Sequence, residues 1–240
     1  MVASRKAADP HANRLLGLLP PRDCARLRPH LQRIALEYRQ SLYRARKPIG
    51  FVYFIETGVG SLVNTMANGD AAEVGTIGNE GVVGLPLVLG DDRAPTGVYV
   101  QVPGAGLRMK ASVFSREMAR SALMRTVMLH YAHAFFNQVA QSAACNHFHA
   151  IEQRCARWLL MTHDRVDGDV LPLKQQFLAE MLGVHRPAVT IAAGALQKAG
   201  VIRYTRGKVT VLDRAALEEA SCECYGIIAR RAAELLDQSD

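Results

Sequence analysis

The sequence predicts an α+β chain: an N-terminal antiparallel β-roll of jelly-roll type, a long dimerisation helix, and a C-terminal winged helix-turn-helix. Three observations predict it. Between residues 33 and 110, short runs of β-forming side chains alternate with glycine and proline. From about Ala111 the apolar positions change to a helical repeat. Between residues 173 and 212, two helix-compatible runs meet at a glycine and are followed by two β-rich runs.

The roll rests on Phe51-Val52-Tyr53-Phe54-Ile55, then Gly58 and Gly60, then Ser61-Leu62-Val63. Glu73-Val74-Gly75-Thr76-Ile77 and Gly97-Val98-Tyr99-Val100-Gln101-Val102 follow. Short strands at close spacing with turn residues between them close into small antiparallel barrels or rolls. Upstream, residues 11–30 read as short helical pieces broken at Pro20-Pro21. A short helix opens near Ser115, and a long one runs from about Ser121 to His147.

The larger apolar residues of that long helix, Leu123, Val127, Tyr131, Phe135 and Val139, stand four apart, with Ala134, Gln138 and Gln141 beside them. A run of roughly 27 residues extends about 40 Å, long enough to pair with its twin along a stripe. The stripe predicts a homodimer; the alternative is a helix buried within one subunit. The next helix begins near Phe148, takes an apolar face from Ile151, Cys155, Trp158, Leu159 and Met161, and ends near Asp167-Gly168-Asp169. Val170 to Leu173 reads as a short strand. The expected division is a roll at 1–115, a dimerisation helix at 116–147 and a winged helix-turn-helix unit with its tail at 148–240.

Residues 173–212 carry the chemistry. Lys174 to Leu182 suits a helix, with Phe177, Leu178 and Met181 on one face. Gly183 suits the left-handed conformation that ends a helix. Val184 can fill the angle between two helices, and Pro187 is acceptable in the first turn of the second. Two β-rich runs then flank Arg206-Gly207, which reads as a hairpin with a basic tip. Such a second helix fits the major groove of double-stranded DNA, its N-terminal residues reaching base edges. Arg186 can donate two bonds to guanine O6 and N7. His185, Ala188 and Thr190 lie beside it, and Lys174, Gln175 and Gln176 are placed to hold the backbone. Arg206 and Lys208 at the hairpin tip would sit where phosphates pass.

Charge and composition agree with a polyanion partner without deciding it. The formal net charge is +7, and the first fifty residues carry 11 Lys and Arg against 3 Asp and Glu. Mean hydropathy is +0.01, and no apolar run approaches the ~18 residues a membrane span needs. The N-terminus is basic, interrupted by Pro10, and lacks the apolar stretch and cleavage site of a signal peptide. These features and five sparse cysteines lead to the expectation of a cytoplasmic, reducing setting.

No phosphate loop, nucleophile elbow or catalytic dyad stands out, so an enzyme is not expected and no catalytic residue is named. His130 and His133 share a helix face but lack a third ligand at matching spacing; His147 and His149 point apart on a helix. Cys222 and Cys224 are two apart, not in a CxxC arrangement, with no second ligand pair visible in the sequence. They read as packing of a C-terminal helix, and neither metal nor cofactor is expected.

The run Leu173 to Arg186, continuing through Val189-Thr190 and Leu196-Gln197-Lys198-Ala199-Gly200-Val201-Ile202 into the hairpin, resembles the helix-turn-helix of the Crp/Fnr family of bacterial regulators. The order of roll, long helix and DNA-binding domain also resembles that family. The resemblance is sharp at 148–224 and diffuse before it. It implies a homodimer on a two-fold symmetric site and, in an activator, contact with RNA polymerase. It also implies an effector pocket near Gly84, Leu85, Arg93 and Thr96. In the cyclic-nucleotide-binding members a Gly-Glu pair and an arginine hold ribose and phosphate. Here Leu85 stands at the carboxylate position, Glu80 comes five residues early, Thr96 falls at the arginine position and Arg93 is displaced. The effector is therefore unknown. Cys24 alone cannot supply an iron–sulfur centre of the oxygen-sensing type. Pro187 replaces a base-contacting glutamate, which implies a different half-site. Two function classes follow: a sequence-specific DNA-binding regulator, and a small-molecule sensor whose DNA contact is secondary or lost.

Overall fold

A computed structural model describes residues 12–237. The first eleven residues and the last three, the outer ends of the expected roll and tail, lie outside the described residues. The chain begins with two short helices, α1 (Arg14–Gly17) and α2 (Pro21–Leu27), separated at Pro20 as the two prolines require. Asn13 ties this segment down. Its side chain is buried, caps α1 at Leu16 N (3.0 Å), and donates to the carbonyls of Ile55 (2.8 Å) and Gly81 (2.9 Å).

The roll comprises β1 (Gln32–Leu36), β2 (Ser41–Tyr43), β3 (Phe51–Thr65), β4 (Ala71–Ile77), β5 (Val82–Val83) and β6 (Gly97–Lys110). They form an antiparallel sheet in the order β1-β6-β3-β4, with β2 also on β6 and β5 also on β3. The long strands β3 and β6 would be too flat to enclose a core if their pairing were regular. Register shifts around Thr57 and Val59 bend them. Gly58 sits in that bend at φ +88, where a Cβ would stand 2.6 Å from the Val102 carbonyl oxygen. A short helix, α3 (Leu85–Val88), follows β5. The core beneath holds Phe54, Ile55, Leu107, Met109 and Phe114.

After α4 (Ala111–Arg120) comes the long helix α5 (Ala122–Phe148), capped by Ser121, whose hydroxyl accepts from Met124 N and donates to Asp23. One face of α5 lies on the roll. Met124, Met128, Tyr131 and Phe135 are buried there, and Gln138 donates to the Thr76 carbonyl at 2.9 Å. Glycine makes the approach possible: a Cβ on Gly75 would be 2.7 Å from the Phe135 ring, and one on Gly81 would overlap the Tyr131 hydroxyl.

The expected dimer stripe is corrected by this packing. Tyr131 and Phe135 are 3% and 7% exposed within their own subunit, and Val127 and Val139 pack against the same core. A four-residue step advances about 40° around a helix, so five such residues wrap through roughly 160° and do not form one face. A different set faces outward: Ala122, Thr126, Leu129, His133, Phe136, Ala140, Ala143 and His147, every one exposed. Their spacing alternates between four and three residues, the seam of a left-handed coiled coil.

The C-terminal unit contains α6 (Ile151–His163), β7 (Val170–Leu171), α7 (Gln175–Leu182), α8 (Arg186–Lys198), β8 (Ile202–Thr205), β9 (Lys208–Val211), α9 (Arg214–Glu219) and α10 (Cys224–Asp237). Its core holds Trp158, Leu159, Leu178, Val189, Leu196 and Val209, packed together under the sheet β7-β9-β8, and takes in Val63 of β3 as well. The helix after α5 starts at Ile151, three residues later than the sequence suggests. His149 and Ala150 are extended and make the corner.

Polar contacts join this unit to the roll. Glu80 pairs with Arg165 at 2.9 Å in a largely buried bridge. Trp158 Nε1 donates to Glu73 Oε1 at 2.8 Å, and the Ser61 hydroxyl donates to Glu73 Oε2. Burial pushes the Glu73 carboxyl from its ordinary 4.5 up to about 7, against the opposing pull of the Ser61 and Trp158 bonds. The folded chain thus binds more protons than the unfolded chain between these values. The stability gained from a protonated Glu73 is complete below about pH 4.5 and is lost as pH rises through about 7. Glu73→Gln keeps both partners without the charge. Urea midpoints at pH 5 and pH 8 should fall in the parent relative to the variant by about 2 kcal/mol in stability. Parallel behaviour of the two chains would show that Glu73 does not carry this dependence.

Candidate nucleic-acid interface

Helices α7 and α8 meet at Gly183, which adopts φ +63 and ψ +39. Val184 N then bonds back to the Ala179 carbonyl at 3.0 Å, closing a Schellman-type end. Alanine there would carry a Cβ in the left-handed region, which is why glycine punctuates the motif. Pro187 occupies the first turn of α8, and His185 is its N-cap residue.

The hairpin is tighter than a single special glycine requires. Thr205 pairs with Lys208, and both residues between them have positive φ: Arg206 at 50° and Gly207 at 77°. Two central residues with positive φ make a type I′ turn, whose twist matches that of the strands. Its tip packs back on the motif, Gly207 lying beside the Lys174 side chain. Tyr204 ties the wing to both neighbours: its N–H donates to Gln197 Oε1 (2.7 Å) and its hydroxyl to the Leu173 carbonyl (2.9 Å).

These elements enclose a concave surface of about 620 Å³. Six of the nine residues predicted to touch DNA line it: Lys174, Gln175, Gln176, Arg186, Thr190 and Arg206. Thr190 bonds Gln175 at 3.3 Å and the Arg186 carbonyl at 3.1 Å, fixing the two helices' facing sides. His185 and Lys208 are exposed at its margins, on the α8 N-terminus and on β9, while Ala188 is half-buried behind Arg186. Arg186 is exposed and has no ion pair among the described residues.

Sequence reasoning missed part of this face. Ile191 is 67% exposed, and Pro187, Gly194 and Ala195 are exposed with it. The signal was available: Val189, Ala192, Ala193 and Leu196 are the buried phase of α8, so Pro187, Ile191 and Gly194-Ala195 must face out. An outward isoleucine on α8, about 140° around the helix from Arg186, suits the methyl group of thymine.

The four expected effector residues are less convergent. Gly84 caps α3 at φ +120, against Val52. Leu85 packs against the roll core, Arg93 pairs with its neighbour Asp92 at 3.5 Å on an exposed turn, and Thr96 bonds the Tyr43 hydroxyl. Glu80, the displaced carboxylate, is committed to Arg165. A groove of about 1060 Å³ lies instead between the roll and the helix-turn-helix, bordered by Arg39, Asp70, Tyr99, Glu180 and Arg186. None of the four lines it.

One further expectation is corrected. Cys222 and Cys224 do have a second pair beside them: Cys145 and His149, from the end of α5. The sequence hid it because more than seventy residues separate the two pairs.

Comparison with known proteins agrees with this geometry. The family described as the Crp-like helix-turn-helix domain matches residues 153–220, the segment from α6 through α9. Residues 153–220 are a Crp-like helix-turn-helix domain. No curated protein matches the sequence. Among solved structures, FixK2 from Bradyrhizobium japonicum superposes with a TM-score of 0.68 at 13% identity, covering 80% of this chain and 98% of that one. A putative regulator of the Crp/Fnr family from Eubacterium rectale gives 0.68 at 15% identity, covering 88% and 98%. TTHB099, a CRP-family transcriptional regulator from Thermus thermophilus, gives 0.64 at 19%, covering 78% and 96%. The chain therefore has the roll, long helix and helix-turn-helix fold of Crp/Fnr regulators. Among the described residues no helix is long and apolar enough to cross a membrane.

Proposed function

We propose that this chain is a sequence-specific transcription regulator that binds double-stranded DNA as a homodimer, reading each half-site with α8 and holding its backbone with α7 and the wing. The observation that carries the reading is the convergence of Lys174, Arg186 and Arg206 on one concave surface beside the exposed N-terminus of α8. Two-fold pairing is supported by the outward seam of α5, where Leu129 and Phe136 are 43% and 67% exposed. Side chains of that size on a heptad seam gain most by burial against a second copy. The working division is the sensor roll at 1–115, the dimerisation helix at 116–147 and the DNA-binding domain at 148–240. An effector, where one acts, would work by shifting how this domain sits on the roll, and an activator would also touch RNA polymerase. In the cell the chain would act in the cytoplasm, where its DNA is.

Selection of bound sequences from a random duplex pool tests the reading. One enriched two-fold motif with half-sites a helical turn apart is the expected result. Absence of enrichment at low salt, with and without cell metabolites, would favour the sensor module with lost DNA binding. On the selected site, Lys208→Ala should weaken all sequences alike and lower the salt slope by about one unit, the signature of one lost phosphate contact. A change in base preference would move Lys208 from the phosphates to the bases.

A further inference from the structure

We propose that Cys145, His149, Cys222 and Cys224 form a mononuclear tetrahedral site for a zinc ion, placed where the long helix hands over to the DNA-binding unit. Their four ligand atoms all lie within 4.8 Å of one another. Cys145 Sγ and Cys222 Sγ are 3.5 Å apart, as are Cys224 Sγ and His149 Nδ1. A zinc ion with Zn–S bonds of about 2.3 Å needs ligand-to-ligand edges of roughly 3.8 Å. Iron–sulfur clusters hold their cysteines through several bridging atoms, and four ligands this close leave no room for one.

The surroundings favour a metal over simple packing. The three cysteines are 0%, 3% and 1% exposed, yet they form a cluster of their own, apart from both apolar cores. The ligands come as two pairs from two segments: Cys145 and His149 four apart at the end of α5, and Cys222 and Cys224 where α9 gives way to α10. His149 Nε2 lies 3.2 Å from the Glu223 carboxylate. A proton shared there fixes the ring and leaves the Nδ1 lone pair free for the ion, the usual outer-shell support of a metal-bound imidazole. Gln141 Nε2 points at Cys224 Sγ from 3.0 Å, a donor suited to a thiolate. Arg157, only 5% exposed, touches Ser142 and Met161 and makes no direct ion pair among the described residues; its charge acts on the Glu73 carboxylate and on the Cys145 sulfur. A buried cation left this way is costly, and three thiolates around a dication leave one net negative charge nearby to offset it. Binding releases the three thiol protons to solvent and transfers no electron.

The position gives the ion a role. It would staple the last turn of α5, the His149-Ala150 corner and the start of α10 to one another. Arg154, beside this cluster on α6, donates to the carbonyl of Leu182, the last residue of α7. Loading would thus fix the angle at which the helix-turn-helix leaves the long helix. This consequence rests on the proposed DNA-binding function, whereas the metal site does not.

The test is titration of the full reduced chain with Co²⁺, then with Zn²⁺. One Co²⁺ per chain is expected, with the intense visible bands and thiolate charge-transfer of a tetrahedral three-sulfur site, displaced by one equivalent of zinc. Cys222→Ser, Cys224→Ser and His149→Gln should each lose at least ~100-fold in affinity while keeping the parent far-UV circular dichroism. The proposal is overturned by a folded parent chain that takes up no ion, by an octahedral spectrum, or by uptake indifferent to all three substitutions. Acid-labile sulfide in the purified protein would also overturn it. So would a Cys145–Cys222 disulfide that forms in preference to metal uptake. DNA retention measured with and without chelator reads the second part alone: unchanged retention removes the control of DNA binding and leaves the metal site standing.

Discussion

Phe136→Glu should turn the proposed dimer into a monomer and remove cooperative binding to a two-fold site. Phe136 is 67% exposed in its own subunit and sits mid-way along the outward seam of α5. Burial of one phenylalanine contributes about 2 kcal/mol, and a two-fold axis doubles it. The glutamate adds a desolvated charge facing its own copy, so dimer dissociation should rise by at least ~1,000-fold. Sedimentation reads the dimer, and gel retardation on one half-site against two reads the DNA. The side chain touches little within its own subunit, so thermal unfolding of the monomer should stay near the parent. An unchanged dimer with that same melt would place the subunit interface elsewhere than on this seam.

The seam also shows what sequence reasoning could and could not see. Residues 173–212 were legible almost residue by residue, because the signals there are local. Gly183 ends one helix, Pro187 opens the next, and Arg206-Gly207 turns the hairpin. A coarse β-roll was legible for the same reason. The faces of α5 were not. Two sets of apolar residues run along it, and only contact with the roll decides that Tyr131 and Phe135 face inward while Leu129 and Phe136 face out. Side-chain size alone favours the aromatic pair. The glycines that admit them, Gly75 and Gly81, stand on the roll sixty and fifty residues upstream. The cysteine and histidine cluster failed to show for a similar reason: each pair by itself is unremarkable, and long-range folding alone joins them. The extra outward residues of α8 belong to a third case. Their phase is readable from Val189, Ala192 and Leu196, but an apolar Ile191 gives no sign by its type that it faces outward.

Arg186→Ala should change which sequences are bound more than how tightly DNA is bound in general. The guanidinium is exposed at the first residue of α8, where a helix entering the major groove presents its side chains to base edges. Two parallel donors match O6 and N7 of guanine, and losing them costs about 1–3 kcal/mol of discrimination, roughly 10- to 100-fold at one base pair. Lysine at this position keeps the charge but not the fork, so Arg186→Lys should restore general affinity without restoring the preference. That separation distinguishes base reading from phosphate binding. A phosphate contact would be rescued by lysine and would alter every sequence equally. The measurement is repeated sequence selection at fixed salt with parent, alanine and lysine chains. Enrichment at one symmetric pair of positions should vanish in both variants while the rest of the motif persists. If the motif survives intact in Arg186→Ala, the register of α8 in the groove is different. Ile191 and the Gly194-Ala195 surface would then be the part of the helix nearest the bases.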